Sequence, residues 1–154
     1  MAGRVSGERA AYLCASLCGI GFVPIMPGTA GSLVTLVLAW FFSNGAWLPL
    51  LLVAVTVFCI GLVATHYVTN GHGDPSWVVI DEAAGMLLAL IGAPHTLPVF
   101  FMAFILFRIL DIYKPFGIDA LQRLPGAWGV MLDDVAAGLV TAGLVQIALY
   151  VMPF

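Results

Sequence analysis

Two pairs of adjacent carboxylates interrupt apolar runs of this chain: Asp81 and Glu82 in "VVIDEAAGM", and Asp133 and Asp134 in "GVMLDDVAAGL". A fifth carboxylate, Asp111, lies in "FRILDIYKP", so five of the eight acidic residues sit in or at the ends of apolar segments. An aspartate at a bilayer centre costs roughly 2.5–3.5 kcal/mol on insertion scales, and less toward the interface. Adjacent carboxylates also repel one another unless a cation or a proton compensates. Solvation at a helix start, helped by the positive end of the helix dipole, accounts for one such pair. Two pairs plus Asp111 point instead to a shared cation. Oxygen-only clusters suit Mg²⁺, which keeps several waters and commonly bridges to phosphate.

Basic residues stand where such a site needs them. Arg108 and Asp111 are three residues apart and share a helix face, and Lys114 follows just before Pro115. Beside a metal, an Arg and a Lys read as phosphate ligands; alone, they read as an ion pair with a snorkelling lysine. The turn "PGTAGS" offers Gly28, Thr29, Gly31 and Ser32, whose hydroxyls and backbone N–H groups at a helix start suit an anion. It is not a Walker A motif. His66, His72 and His95 are not spaced as a metal set, although His66 and His72 could approach the site. Cys14, Cys18 and Cys59 lie in apolar surroundings and read as packing residues, with no disulfide framework. No Ser/His/Asp or Cys-based nucleophile pattern is evident. Water activated by Mg²⁺, with a carboxylate as general base, is the expected nucleophile.

The elements that must position these residues are apolar. Hydrophobic residues make up 62% of the chain and charged residues 8%, against roughly 45–50% and 25% in soluble domains. The expected fold is an all-α polytopic membrane bundle in one domain, residues 1–154, with about four to five transmembrane helices. A net charge of −3 with no charged tail gives no sign of a nucleic-acid partner. The N-terminus lacks a clean cleavage site and is expected to be retained. Ala10–Met26, broken by Gly19, Gly21 and Pro24, predicts an interfacial or re-entrant helix. Ser32–Asn44 is a short span of about 20 Å; Trp47–Val68 is the cleanest. Trp77–Gly92, Val99–Tyr113 and Val130–Met152 complete the set, with a loop at Phe116–Trp128.

Placing Arg4, Arg9, Arg108, Lys114 and Arg123 in the cytoplasm satisfies the positive-inside rule. That orientation brings the turn, both carboxylate pairs and the Arg108–Lys114 segment to one face. Asp81 and Gly85 are four residues apart, as are Asp134 and Gly138, so each pair shares a helix face. Small residues there allow close helix approach.

The stretches "PIMPGTAGSL", "VVIDEAAGM", "FRILDIYKPFGID" and "GVMLDDVAAGL", in this order over roughly residues 21–143, resemble the motifs of the phosphatidylglycerophosphatase A family. The resemblance implies a Mg²⁺-dependent, multi-pass enzyme of the bacterial inner membrane with its active site facing the cytoplasm. Its substrate would be a phospholipid, phosphatidylglycerol phosphate, whose terminal phosphate is removed to give phosphatidylglycerol and inorganic phosphate. By position, Asp81, Glu82, Asp111, Asp133 and Asp134 fall on the family's motifs, as do Arg108, Lys114, Gly28, Thr29, Gly31 and Ser32. The loop "DALQRLPGAWG" departs from the pattern, since related sequences can carry an Asp-Arg and a His there. Gln122 precedes Arg123 here, and Leu124 and Pro125 follow it, which leaves Arg123 only as a contact.

The sequence does not set the oligomeric state. An ion- or proton-coupled transporter is the alternative, but it would place its carboxylates near the midplane. A head-group transferase would need a D-x-x-D-G-x-x-A-R pattern, which the chain lacks. Replacing Asp134 by Asn is expected to abolish phosphatase activity while the protein still inserts into membranes. Full activity of that variant, measured on membrane-inserted protein, would overturn its assignment.

Overall fold

A computed structural model describes residues 2–69 and 75–151, and these residues are all helical or irregular, with no strand. Six α-helices are formed: α1 (Ala2–Ala15), α2 (Pro27–Phe42), α3 (Trp47–Thr69), α4 (Ile80–Ala89), α5 (Leu97–Tyr113) and α6 (Ala127–Val151). Short 3-10 segments occupy Ile20–Phe22 and Pro115–Arg123. His72 and the end of the last expected span at Met152 lie outside the described residues.

Several expected boundaries are corrected. The N-terminal helix ends at Ala15, because Leu17, Cys18 and Gly19 all adopt positive φ. The "PGTAGS" stretch is not a turn ahead of a helix but the first turns of α2, with Pro27 at a position that needs no donor. The expected loop at 116–128 contains a kinked 3-10 segment. The expected span Trp77–Gly92 shrinks to α4, with 10 residues and a length of about 15 Å.

Helix α4 is the hub of the bundle, packed by α2, α3, α5 and α6. All its residues but Glu82 are buried. One apolar core joins Met86, Leu87 and Leu90 to Phe100, Phe104, Phe107 and Val145. A second joins Ala15, Ala64, Ile80, Ala84 and Met131, and the Val79 N–H donates to the Ala15 carbonyl at 2.9 Å. Beyond α4, His95 stacks on Trp40 at 4.0 Å and contacts its carbonyl at 2.7 Å. Trp40 belongs to the last turn of α2, so α4 and the turn after it together reach the far end of the bundle, from which α5 returns.

Among the described residues, α3 and α6 are long and apolar enough to cross a membrane. Only 28% of each helix's most apolar window is buried within the protein, unlike the core helix of a soluble domain. Leu52, Val53 and Val63 on α3, and Leu139 and Ile147 on α6, face outward. The hydroxyls of Ser32, Thr35, Thr56, Thr69 and Thr141 donate to the carbonyl four residues back, at 2.7–2.8 Å. Hydroxyls satisfied within their own helix need no water, which matters in a lipid surround.

Helices α4 and α6 approach one another closely. A Cβ on Gly138 would overlap the Gly85 carbonyl oxygen, and a Cβ on Gly85 would lie 2.6 Å from the Asp134 carbonyl oxygen. The face shared by Asp81 with Gly85, and by Asp134 with Gly138, is thus the contact face, as the spacing predicts. Gly138→Ala must push the two backbones apart. Its expected cost is about 1–3 kcal/mol, read as a lower unfolding midpoint in detergent together with a loss of activity.

Candidate active site

Four elements deliver polar groups to one end of the bundle. The start of α2 brings Gly28 and Thr29, and the first turn of α4 brings Asp81 and Glu82. The last two turns of α5 and its cap bring Arg108, Asp111 and Lys114, and α6 brings Asp133 and Asp134. Together they line a cavity of about 300 Å³. The convergence expected from the sequence is therefore present for all five carboxylates and both cations.

The carboxylates divide by their partners. Asp81, Glu82 and Asp134 each offer an oxygen within 4.8 Å of the others. Glu82 Oε2 and Asp134 Oδ2 are buried with no hydrogen-bond partner among the described residues. Asp111 and Asp133 instead hold the cations. Arg108 Nη1 lies 2.6 Å from Asp111 Oδ2, and Lys114 Nζ pairs with Asp133 and sits 3.7 Å from Asp111 Oδ1. Asp133 and Asp134 lie about 9 Å or more into α6 and are 3% exposed, so simple solvation at a helix start does not explain them. Asp133 Oδ1 also accepts from the Asp134 N–H at 3.0 Å, which fixes its orientation.

Lys114 caps α5 in a left-handed conformation, φ 46°. Burial alone would lower its pKa, but the hydrogen bond to Asp133 and the charges of Asp133, Asp134 and Asp111 outweigh this and raise it. The ammonium is therefore charged at neutral pH. Even so, five carboxylates face two cations in the cavity, an excess of three negative charges when all are ionised. Three converging carboxylate oxygens, beside the unpartnered Glu82 Oε2 and Asp134 Oδ2, suit a hard, oxygen-seeking divalent cation.

The residues of the "PGTAGS" stretch take different places. Gly28 and Thr29 line the cavity, and Thr29 Oγ1 is buried without a hydrogen-bond partner among the described residues. Ser32 lies fully buried behind them, donating to the Gly28 carbonyl at 2.8 Å and accepting from Arg108 Nη1 at 3.3 Å. Gly31 makes room for Val79: a Cβ there would sit 3.0 Å from the Val79 Cβ.

Arg123 pairs with Asp119 at 3.8 Å with both side chains exposed, away from the cavity lining. His66 lines a separate groove with Tyr67 and Trp128. Met26, Ser76, Val78 and Ile112 also line the cavity and were not singled out by the sequence. Ser76 had one available signal, a polar residue in the loop just before the carboxylate helix.

Comparison with known proteins defines first a class: the chain is a phosphoric monoester hydrolase built of helices. More narrowly, it belongs to the phosphatidylglycerophosphatase A family, whose profile matches residues 13–149. It is 35% identical to the phosphatidylglycerophosphatase A of Escherichia coli, over 86% of this chain and 80% of that protein. The Haemophilus influenzae protein of the same name is 31% identical, over 83% and 82%. A Bacteroides thetaiotaomicron protein provisionally named phosphatidylinositol-3-phosphatase is 36% identical, over 87% and 90%. No solved structure matches the chain.

Gly28 offers a direct probe of the geometry. A Cβ there would overlap Glu82 Oε1, the mobile end of a side chain rather than backbone. Gly28→Ala is therefore expected to leave folding intact but to displace Glu82. The check is hydrolysis of a lipid phosphate ester, which should fall about tenfold, equivalent to about 1.4 kcal/mol, while the unfolding midpoint stays within a few degrees.

Proposed function

We propose that the protein removes the terminal phosphate of phosphatidylglycerol phosphate, giving phosphatidylglycerol and inorganic phosphate, with Mg²⁺ as cofactor. The observation that carries this reading is the meeting of Asp81, Glu82 and Asp134 oxygens within 4.8 Å of one another, in a cavity edged by Arg108 and Lys114. A cavity with surplus carboxylates repels a phosphate monoester unless a cation intervenes. Asp81, Glu82 and Asp134 would hold Mg²⁺ directly, with Asp111 and Asp133 contributing through water while they orient the two basic residues. Bound Mg²⁺ would supply Lewis-acid polarisation of a phosphoryl oxygen and a more acidic water.

The chain's own groups do the rest. Arg108, held by Asp111 and Ser32, and Lys114, held by Asp133 and Asp111, neutralise the phosphoryl oxygens. The Thr29 hydroxyl and the first-turn amides of α2, Gly28 included, donate to the same group. Gly31 and Ser32 shape that cradle from behind. A carboxylate of the cluster takes a proton from water as the water oxygen bonds to phosphorus. The ester P–O bond breaks, and the departing glycerol oxygen takes up the proton held by that carboxyl group, which restores the carboxylate.

A multi-pass arrangement in the bacterial inner membrane, with the cavity facing the cytoplasm, fits this reading. Two full-length apolar helices, the self-satisfied hydroxyls and the charge cluster at one end all support it. In that arrangement α2, α3, α4 with its turn, α5 and α6 make the passes, and α1 lies at the interface. The transporter alternative finds no support, since the carboxylates gather at one end of the bundle rather than at its middle.

The name carried by the Bacteroides relative makes phosphatidylinositol 3-phosphate the rival substrate. Purified protein in mixed micelles should release phosphate faster from phosphatidylglycerol phosphate than from phosphatidylinositol 3-phosphate. Chelation should stop the release, and added Mg²⁺ should restore it. Release that survives chelation would remove the metal role, and a preference for the inositol lipid would change the substrate.

A further inference from the structure

The mouth of the cavity is flanked by two large apolar lips. One is the segment before α2, where Ile25 is 76% exposed and runs into Met26, a cavity-lining residue that is itself more than half exposed. The other is the end of α5 and the segment after it. Ile112 lines the cavity, and next to it Tyr113 is 78% and Phe116 84% exposed.

Both lips carry two costs, one from water and one from the backbone. They expose large apolar side chains, and they do so from strained backbone: Met26 and Phe116 have φ 52° and 62°, a region that costs a non-glycine residue roughly 1–2 kcal/mol. Strain of this kind concentrates where a ligand or switch uses it, and contiguous exposed apolar surface beside a polar cleft marks an interaction site. The lips differ from the general lipid-facing surface because each runs directly into the charged cavity, through Met26 and Ile112.

We infer that the two lips hold the glycerol backbone and upper acyl chains of the phospholipid substrate, so that the head group enters the cavity from the lipid leaflet between Met26 and Ile112. This rests on the lipid phosphatase reading and sharpens it to an entry route. The cavity carries seven charged side chains and is about 300 Å³, a size and charge that suit a phosphorylated head group rather than acyl chains. The chains must leave through the mouth, and the lips are what they meet there. Ile25 and Phe116 lie outside the cavity lining, so they act on the lipid's apolar part and not on the phosphate.

The test compares a long-chain phosphatidylglycerol phosphate in vesicles with its water-soluble dihexanoyl analogue, using the full chain in its wild-type form and as Ile25→Ser/Phe116→Ser. The double variant should raise KM for the long-chain lipid about tenfold, from lost apolar contact, with the dihexanoyl KM and both kcat values unchanged. The conservative pair Ile25→Leu/Phe116→Leu should keep the wild-type KM on both substrates. Equal effects of the serine pair on the two substrates, whether none or a shared loss, overturn the inference. Wild-type protein that hydrolyses neither substrate overturns the phosphatase reading instead.

Discussion

The backbone contact between Gly85 and Gly138 sets the geometry of everything around it. Without side chains at these positions, α4 and α6 approach until a carbonyl of each lies where a Cβ would be. Asp81 lies one turn before Gly85, and Asp134 one turn before Gly138. The crossing that brings the glycines together therefore also brings those carboxylates together. Phe107 closes the contact from α5, since a Cβ on Gly85 would also meet its ring at 2.7 Å. The third helix of the site is thus fixed by the same crossing, and with it Arg108 and Asp111.

Repulsion among carboxylates works against that crossing, and the protein distributes it. Asp111 and Asp133 are neutralised by Arg108 and Lys114, and Ser32 holds the guanidinium from the side of α2. The remaining cluster of Asp81, Glu82 and Asp134 is concentrated negative charge beside fixed positive charge. Such an arrangement is electrostatically incomplete by itself. It suits a cation on one side and an anion on the other, the arrangement on which the proposed metal-assisted hydrolysis rests.

The short α4 is what makes this possible within an apolar bundle. A helix of about 15 Å, buried on nearly every face, starts at the site and ends inside the bundle. The following turn, anchored by His95 on Trp40, completes the passage. Longer and more apolar α3 and α6 leave their outer faces exposed and are long enough to cross a membrane. The charges gather at one end of the bundle, although Asp133 and Asp134 lie well inside α6.

Much of this was legible in the sequence. Composition and apolar run length gave an all-helical chain, the four-residue spacing of Asp81 with Gly85 and Asp134 with Gly138 gave the contact face, and the quoted motifs gave the family. These are local or periodic properties, and a helix converts sequence spacing into a face without outside help. What the tertiary structure alone decided depends on partners distant along the chain. It made Ser32 a support for Arg108 rather than a surface of the cradle, and set Gly31 against Val79. It divided five similar aspartates and glutamates into a converging group and two cation holders, and it shortened α4, whose expected length rested on hydropathy alone. No spacing rule distinguishes Asp133 from Asp134. Only the placement of Lys114 and of the α4 backbone, more than a dozen residues away in each case, does so.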